Sequence, residues 1–494
     1  MSKTAFINRK SILYVKYVFV IALLACGFYS IFWGTEEYYE TIRLYYLWKG
    51  IFWILLGFCI SIADGIPSKW ICIVGAGLTV GLIGYLFILG GGIDIWRWYG
   101  FRGLSCILAF VLLLNAFVNK SLSKFSSLNI PAIIIFFIPI IWMFVIGKRS
   151  DIIWLPLLIC GCMCLIDVNK ARWDEFCECF LWGYIVMGFN VMIRSFIAVP
   201  YAGGRYYGVW GNHGLFSSGI GGCVIALLIL IYMTFQHKNP YYRQKLVFEI
   251  VLLIFFGVSV VIISARIAML GIFLASYILL FLILNQKNKT KGIILVSVCF
   301  ILLIGVFVGV LYYLQNIPEE KYDVIKIETL KQIILYWRDR GSRLFMKESR
   351  TGFFKGGTFL NAIDGFSSSR LTWALKYCEH LNLLGHESLW VYPEDYMAMS
   401  HPHNTYIAWL YLYGIISGVA YIINFLFASV SALVRSKNET NITPVAVFCA
   451  YLFGIFFGDV FLNGYLELIV LFILIRPILF KREKIAMNTN SNAK

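Results

Sequence analysis

Long, uninterrupted apolar runs constrain this chain more than any other feature. Fourteen segments read as candidate membrane spans: 12–32, 45–63, 70–92, 100–118, 130–146, 152–168, 179–199, 214–235, 247–263, 266–284, 292–314, 403–434, 442–459 and 461–480. About 20 apolar residues in a helix cross the ~30 Å hydrocarbon layer of a bilayer. The runs are continuous and do not alternate, so a transmembrane β-barrel is excluded. Composition points the same way: 60% of the 494 residues are hydrophobic and 14% charged, where a soluble domain has about 45–50% and 25%. A soluble enzyme, a disordered chain and a disulfide scaffold are thereby excluded. The expected fold is an all-α polytopic membrane protein, a bundle of about 12–14 transmembrane helices. One large outer-face loop would carry short amphipathic helices. The chain then divides into a transmembrane bundle over 1–314, the loop 315–402, C-terminal transmembrane helices over 403–480 and a tail over 481–494.

A formal net charge of +16 suggests a nucleic-acid partner until the charges are placed. With the N-terminus inside, the short inner segments hold 20 of the 42 Lys and Arg residues. The short outer loops with adjoining span ends hold 8, the loop 315–402 holds 11, and Lys16, Arg194 and Arg476 lie within spans. Basic residues in short cytoplasmic loops set orientation. The positive charge is therefore a topology signal, with both termini cytoplasmic and no nucleic-acid partner. Nearly all of the thirteen cysteines lie in or beside apolar spans. Cys160, Cys162 and Cys164 point in different directions on a helix, a poor metal geometry that suits small buried hydrophobes. Cys378 stands alone on the large loop, which leaves that loop no internal disulfide. The run Gly90-Gly91-Gly92 lacks a following Lys-Ser/Thr and reads as a turn. The first apolar segment lacks a small-residue cleavage site and reads as an uncleaved first span.

The loop 315–402 carries 11 basic and 11 acidic residues and is water-exposed. Ile327, Leu330, Ile334 and Trp337 recur at helical spacing, with Lys326, Lys331, Arg338 and Arg340 between them. That pattern fits an amphipathic helix lying on the membrane or capping the bundle, and equally one packed within the loop. A second helix is expected after Ser367-Ser368-Ser369, whose oxygens would cap it, running through Trp373 and Leu375 toward Leu383. Arg370 would stand in its first turn, beside the positive end of the dipole, which calls for an anionic partner.

Five of the six histidines (His213, His380, His386, His401 and His403) map to the outer face. Three outer sites stand out: Arg205-Tyr206-Tyr207-Gly208 with Asn212-His213; Ser264-Ala265-Arg266; and His401-Pro402-His403-Asn404-Thr405. An arginine near bilayer depth costs roughly 2.5–3.5 kcal/mol on insertion scales, which makes Arg266 a functional candidate. It also fits a snorkelling residue at a helix end. Arg205 fits a solvated loop arginine as well, and Asn404 suits a helix cap.

In order, spacing and sidedness these motifs resemble the O-antigen ligase and O-antigen polymerase superfamily. The resemblance spans roughly 200–420: Arg205…Gly208…Asn212, Ser264/Arg266, and Arg370-Leu371-Thr372-Trp373 through Gly385 to His403-Asn404-Thr405-Tyr406 and Gly414. The chain departs from the family pattern where Ala265 separates Ser264 from Arg266, at Gly211-Asn212-His213, and at Gly385-His386-Glu387. The resemblance implies a multi-pass enzyme of the bacterial plasma membrane. Its donor would be an undecaprenyl-diphosphate-linked oligosaccharide, used at the outer face for surface polysaccharide: O-antigen, capsule or exopolysaccharide. Its acceptor would be a glycan or a second lipid-linked unit, with a chain-length regulator protein as a further partner. Acceptor choice separates ligase from polymerase. Polymerase is the preferred reading, since nothing in the sequence ties the chain to a lipopolysaccharide-bearing host.

The residue chemistry fits independently. A diphosphate calls for multidentate cations, and guanidinium groups supply fixed pairs of donors. Arg205, Arg266 and Arg370 are the candidate diphosphate-binding residues. A neutral histidine can take the proton of an attacking sugar hydroxyl near pH 7. His403 is the candidate base, with Asn404, Asn212 and His401 supporting it. The alternative function is a lipid-linked oligosaccharide flippase or other transporter. Such proteins commonly show internal repeats and midplane sites, and no repeat is visible here. His380, His386, His401 and His403 would also permit a zinc site, but the preferred reading needs no metal or other cofactor. It predicts that EDTA leaves glycan transfer intact; loss of transfer on chelation with recovery on adding zinc would favour the metal.

Overall fold

The computed structural model describes residues 129–146, 213–236, 240–264, 266–345, 359–367, 369–387 and 402–458, with Tyr206, Gly208 and isolated helical positions within 77–118 and 177–197. Among these the structure is helical with no strand, and five helices are long and apolar enough to cross a bilayer. The chain is an all-α polytopic membrane protein. The expected spans before residue 129, at 152–168 and 179–199, and after 459 lie outside the described residues or are described only at isolated positions.

Ten helices are labelled here in chain order: α1 (Ile130–Val145), α2 (His213–Gln236), α3 (Tyr242–Ile263), α4 (Arg266–Gln286), α5 (Thr290–Asn316), α6 (Glu328–Phe345), α7 (Phe359–Ser367), α8 (Arg370–Glu379), α9 (Thr405–Ser436) and α10 (Thr443–Ile455). Most boundaries agree closely with the apolar runs, because in lipid a spanning segment must satisfy its backbone internally. Helix α2 is the centre and packs on α3, α4 and α10. Small residues bring α4 and α10 into backbone contact: a Cβ added to Gly454 would stand 2.7 Å from the Cα of Gly271. Such close approach is how helices associate in lipid, where burial of apolar surface gives little driving force. At one end of the bundle Gln286 ties four helices together. Its amide donates to the Ser436 carbonyl (2.8 Å) and the Thr443 hydroxyl (2.9 Å), and it accepts from Tyr232 (3.1 Å). The opposite end of α4 is Arg266, ~30 Å away by helical rise.

Helix α9 departs most from the sequence reading. The run 403–434 reads as one span, but Gly414 is non-helical (φ 80°, ψ 161°) and the chain doubles back there. Tyr406 meets Phe425 (6.3 Å between ring centroids) and Trp409 meets Tyr421 (5.1 Å). A Cβ on Gly418 would lie 2.5 Å from Leu410 Cα. In a continuous helix Tyr406 and Phe425 would be ~28 Å apart. Thr405–Tyr413 is therefore a re-entrant segment lying antiparallel against 415–436.

The break is filled from outside. His386 N–H donates to the Tyr411 carbonyl and Ile415 N–H to the Asn382 carbonyl, both at 3.0 Å. Trp142 of α1 donates to Leu383 O at 3.3 Å. Loop 382–386 thus pairs backbone groups that the break would otherwise leave bare. The fit excludes any side chain at Gly414, whose added Cβ would strike the Leu383 carbonyl, and at Gly385, whose Cβ would strike Leu412 O.

The amphipathic helix of the large loop is α6, and it packs on α5. Ile327 and Leu330 are exposed, while Ile333, Arg340 and Gly341 are buried. Trp337 of the expected stripe packs edge-on against Phe307 (5.5 Å), and a Cβ on Gly341 would stand 2.6 Å from Leu311 O. The missing side chain at Gly341 lets the two helices close.

Gly414→Ala is expected to cost about 2–3 kcal/mol, since φ and ψ there belong to a region essentially reserved for glycine. A thermal-unfolding midpoint equal to wild type would contradict the re-entrant geometry.

Candidate functional site

The helix α3 ends and α4 begins almost without a loop. Ser264 is fully buried in a left-handed conformation (φ 54°), with its N–H shared between Val260 O and Val261 O. Its hydroxyl donates to Val261 O at 2.9 Å, so its polar atoms complete the end of α3. Two residues on, Arg266 opens α4, and its guanidinium carbon lies 5.2 Å from the centroid of Phe366. Phe366 sits in the last turn of α7, so this contact joins α7 to the head of α4.

The turn from α7 into α8 is built around Asp364, which is fully buried. Its carboxylate accepts from Thr372 N–H (2.9 Å), and its carbonyl accepts from Ser369 N–H (2.7 Å) and the Ser367 hydroxyl (3.0 Å). The serine cap expected for α8 is therefore corrected. Ser369 is the N-cap residue but is left-handed (φ 66°), and its hydroxyl makes no capping bond. A capping serine normally has extended backbone; here Asp364 reaches across the turn instead. Asp364 thus places a carboxylate at this helix start, bonded to Thr372 N–H.

One turn into α8, Trp373 lies against His403, with ring centroids 4.6 Å apart and planes 34° apart. His403 has φ 51°, a conformation costly for a residue with a side chain. Asn404 caps α9, accepting from Ile407 N–H at 3.2 Å. Thr405 anchors this start to the end of α10: its N–H donates to Phe456 O and its hydroxyl to Gly458 O, both at 2.9 Å. A Cβ on Gly458 would lie 3.0 Å from Ile267, the residue after Arg266. The contacts form a closed circuit from α4 through Phe366, α8, Trp373, His403, Thr405 and Gly458 back to α4.

That circuit brings Arg266, Arg370, His403 and Asn404 to one region. The N-termini of α4, α8 and α9 meet there beside the C-termini of α3, α7 and α10. The helix-end charges largely offset one another, so the net positive charge is that of the guanidinium groups. The site lies ~13 Å from the Gly414 break, the rise of the nine-residue segment Thr405–Tyr413. Arg205, Asn212 and His401 lie outside the described residues. Near Arg205, Tyr206 is buried between Phe196 (5.6 Å) and Phe216 (5.9 Å), and burial pushes its phenol up to about 12. Gly208 (φ 57°) lies so close to Phe216 and Ser195 that a Cβ would stand 2.7 Å from each. These contacts dock that loop on the head of α2, which begins at His213.

His386 is not brought to His403. It stacks on Tyr411 at 3.9 Å, at the other end of the re-entrant segment, with Nε2 2.7 Å from His380 O. Among the described residues no group of three or more His, Cys, Asp or Glu is placed to hold a metal. Sequence reasoning passed over Phe366, Asp364 and the anchoring role of Thr405. The only signal for Asp364 was Arg370, a cation at a helix start in want of an anion. No family model matches the chain, and no characterised protein matches it.

Asp364→Ala is expected to cost about 1–2 kcal/mol, as loss of a helix cap does, while Asp364→Asn, which keeps an acceptor, costs less. Thermal unfolding of the purified protein checks this; equal losses would contradict the capping role.

Proposed function

We propose that the protein is an integral-membrane glycosyltransferase of the O-antigen ligase or polymerase type. It transfers or polymerises oligosaccharide from an undecaprenyl-diphosphate donor at the outer face of the plasma membrane, in surface-polysaccharide biosynthesis. The observation that carries this reading is the convergence of Arg266, Arg370 and His403 on three helix N-termini. Two guanidinium groups at one site suit an anion with several oxygens, and a diphosphate is such an anion.

In this reading the diphosphate lies across Arg266 and Arg370, with Arg205 contributing from the loop before α2. The acceptor hydroxyl attacks the anomeric carbon and gives its proton to the imidazole of His403. The bond from that carbon to the diphosphate oxygen breaks, and its electron pair leaves on the lipid diphosphate. The guanidinium groups stabilise the charge that develops there. Trp373 holds the His403 ring by stacking, and Asn404 with Thr405 fixes the backbone that carries it.

His403→Ala is expected to lower transfer about 10²–10⁴-fold, the usual worth of a general base. Lipid-linked units should then accumulate on the outer face; accumulation on the cytoplasmic face would overturn the enzyme reading in favour of a flippase. Arg266→Lys keeps the charge but loses the paired donors, and transfer should fall at least about tenfold. In a deletion strain, loss of long chains with a single unit still attached marks a polymerase, and complete loss of attachment a ligase.

A further inference from the structure

Two serines at the candidate site are left-handed, Ser264 just before α4 and Ser369 just before α8. Their hydroxyls differ. Ser264 donates its hydroxyl to Val261 O at 2.9 Å. Ser369 is 4% exposed, and its buried hydroxyl has no hydrogen-bond partner among the described residues. A buried hydroxyl without a partner is costly, and a left-handed backbone at a residue with a Cβ adds to that cost.

An ordinary capping serine would avoid both, with extended backbone and its oxygen on an early N–H of the helix. At α8 that role is already filled. The Asp364 carboxylate accepts from Thr372 N–H, and the Asp364 carbonyl accepts from Ser369 N–H at 2.7 Å, which pins the left-handed turn. The Ser369 hydroxyl is thereby left for a group from outside the fold.

Its neighbours say which group. Ser369 immediately precedes Arg370, and its carbonyl accepts from Trp373 N–H at 3.1 Å. Trp373 in turn stacks on His403. Ser369 therefore shares one turn of α8 with a guanidinium group and with the ring that packs on the candidate base. A hydroxyl turns its O–H toward whatever acceptor is offered, and an anionic oxygen is the strongest acceptor such a site can receive.

We propose that Ser369 is a substrate-binding residue whose hydroxyl donates to a phosphate oxygen of the lipid-diphosphate donor beside Arg370. The inference rests on the glycosyltransferase reading and adds a neutral donor to the guanidinium groups. Strain and an unmet hydrogen bond are kept at Ser369 for the sake of binding, so stability and binding should separate there.

The test measures thermal unfolding of the purified full chain together with its binding of undecaprenyl diphosphate, which carries no sugar. Ser369→Ala and Ser369→Gly should each weaken binding about tenfold, the worth of one hydrogen bond to a charged group. Neither variant should unfold below wild type, and Ser369→Gly, which relieves the left-handed backbone, should unfold above it. Binding equal to wild type in both variants overturns the proposal and leaves the glycosyltransferase reading standing. Weaker binding that follows a lowered unfolding temperature in both also overturns it, since that marks a structural role. Should Ser369→Ala fail to fold, Ser369→Gly decides by the same criteria. Failure of wild type to bind undecaprenyl diphosphate overturns this proposal and the glycosyltransferase reading together.

Discussion

The structure turns on a break in a membrane helix that is made good by a loop. A helix interrupted in mid-run persists only where something else supplies the hydrogen bonds that its break leaves open. Loop 382–386 does this for the Gly414 break, through His386 N–H on Tyr411 O and Ile415 N–H on Asn382 O. Once the chain has doubled back, His403 lies beside Trp373, one length of the segment Thr405–Tyr413 away from the break. The same loop ties α8 to α9, so the helix that presents Arg370 and the segment that follows His403 form one unit.

Charge in the site follows from this arrangement. Helices α4, α8 and α9 begin there and α3, α7 and α10 end there. The helix ends offset one another, and Arg266 and Arg370 set the positive charge. Asp364 spends its carboxylate on the head of α8 through its bond to Thr372 N–H. The strain at His403 (φ 51°) is held by the cap at Asn404 and the two bonds of Thr405.

Much of the architecture is legible along the chain because a membrane imposes simple rules. The runs 130–146, 214–235, 266–284 and 292–314 agree within two residues or so with α1, α2, α4 and α5. Arg266 could be singled out because a cation at that depth is costly, and His403 because of its neighbours Asn404 and Thr405. Other features left no such trace. A glycine within an apolar run does not announce a reversal, and Gly414 reads no differently from Gly305 or Gly309, which lie inside the unbroken α5. Gly341, which carries no hydrophobicity, lets α5 and α6 close on each other, and the apolar spacing of Ile327, Leu330, Ile334 and Trp337 gives no sign of it.

By itself the sequence determined that the chain lives in a bilayer and where most of the described helices start and stop. Apolar length and charge placement are local properties, and lipid reads them locally. Only the tertiary structure decided that Thr405–Tyr413 re-enters, that Asp364 and not a serine caps α8, and that Phe366 and Trp373 link Arg266 and His403 into one site. Those outcomes depend on contacts between residues far apart in the chain. A backbone carbonyl left bare by one helix has to find its donor on another, and no local pattern records where that donor will come from.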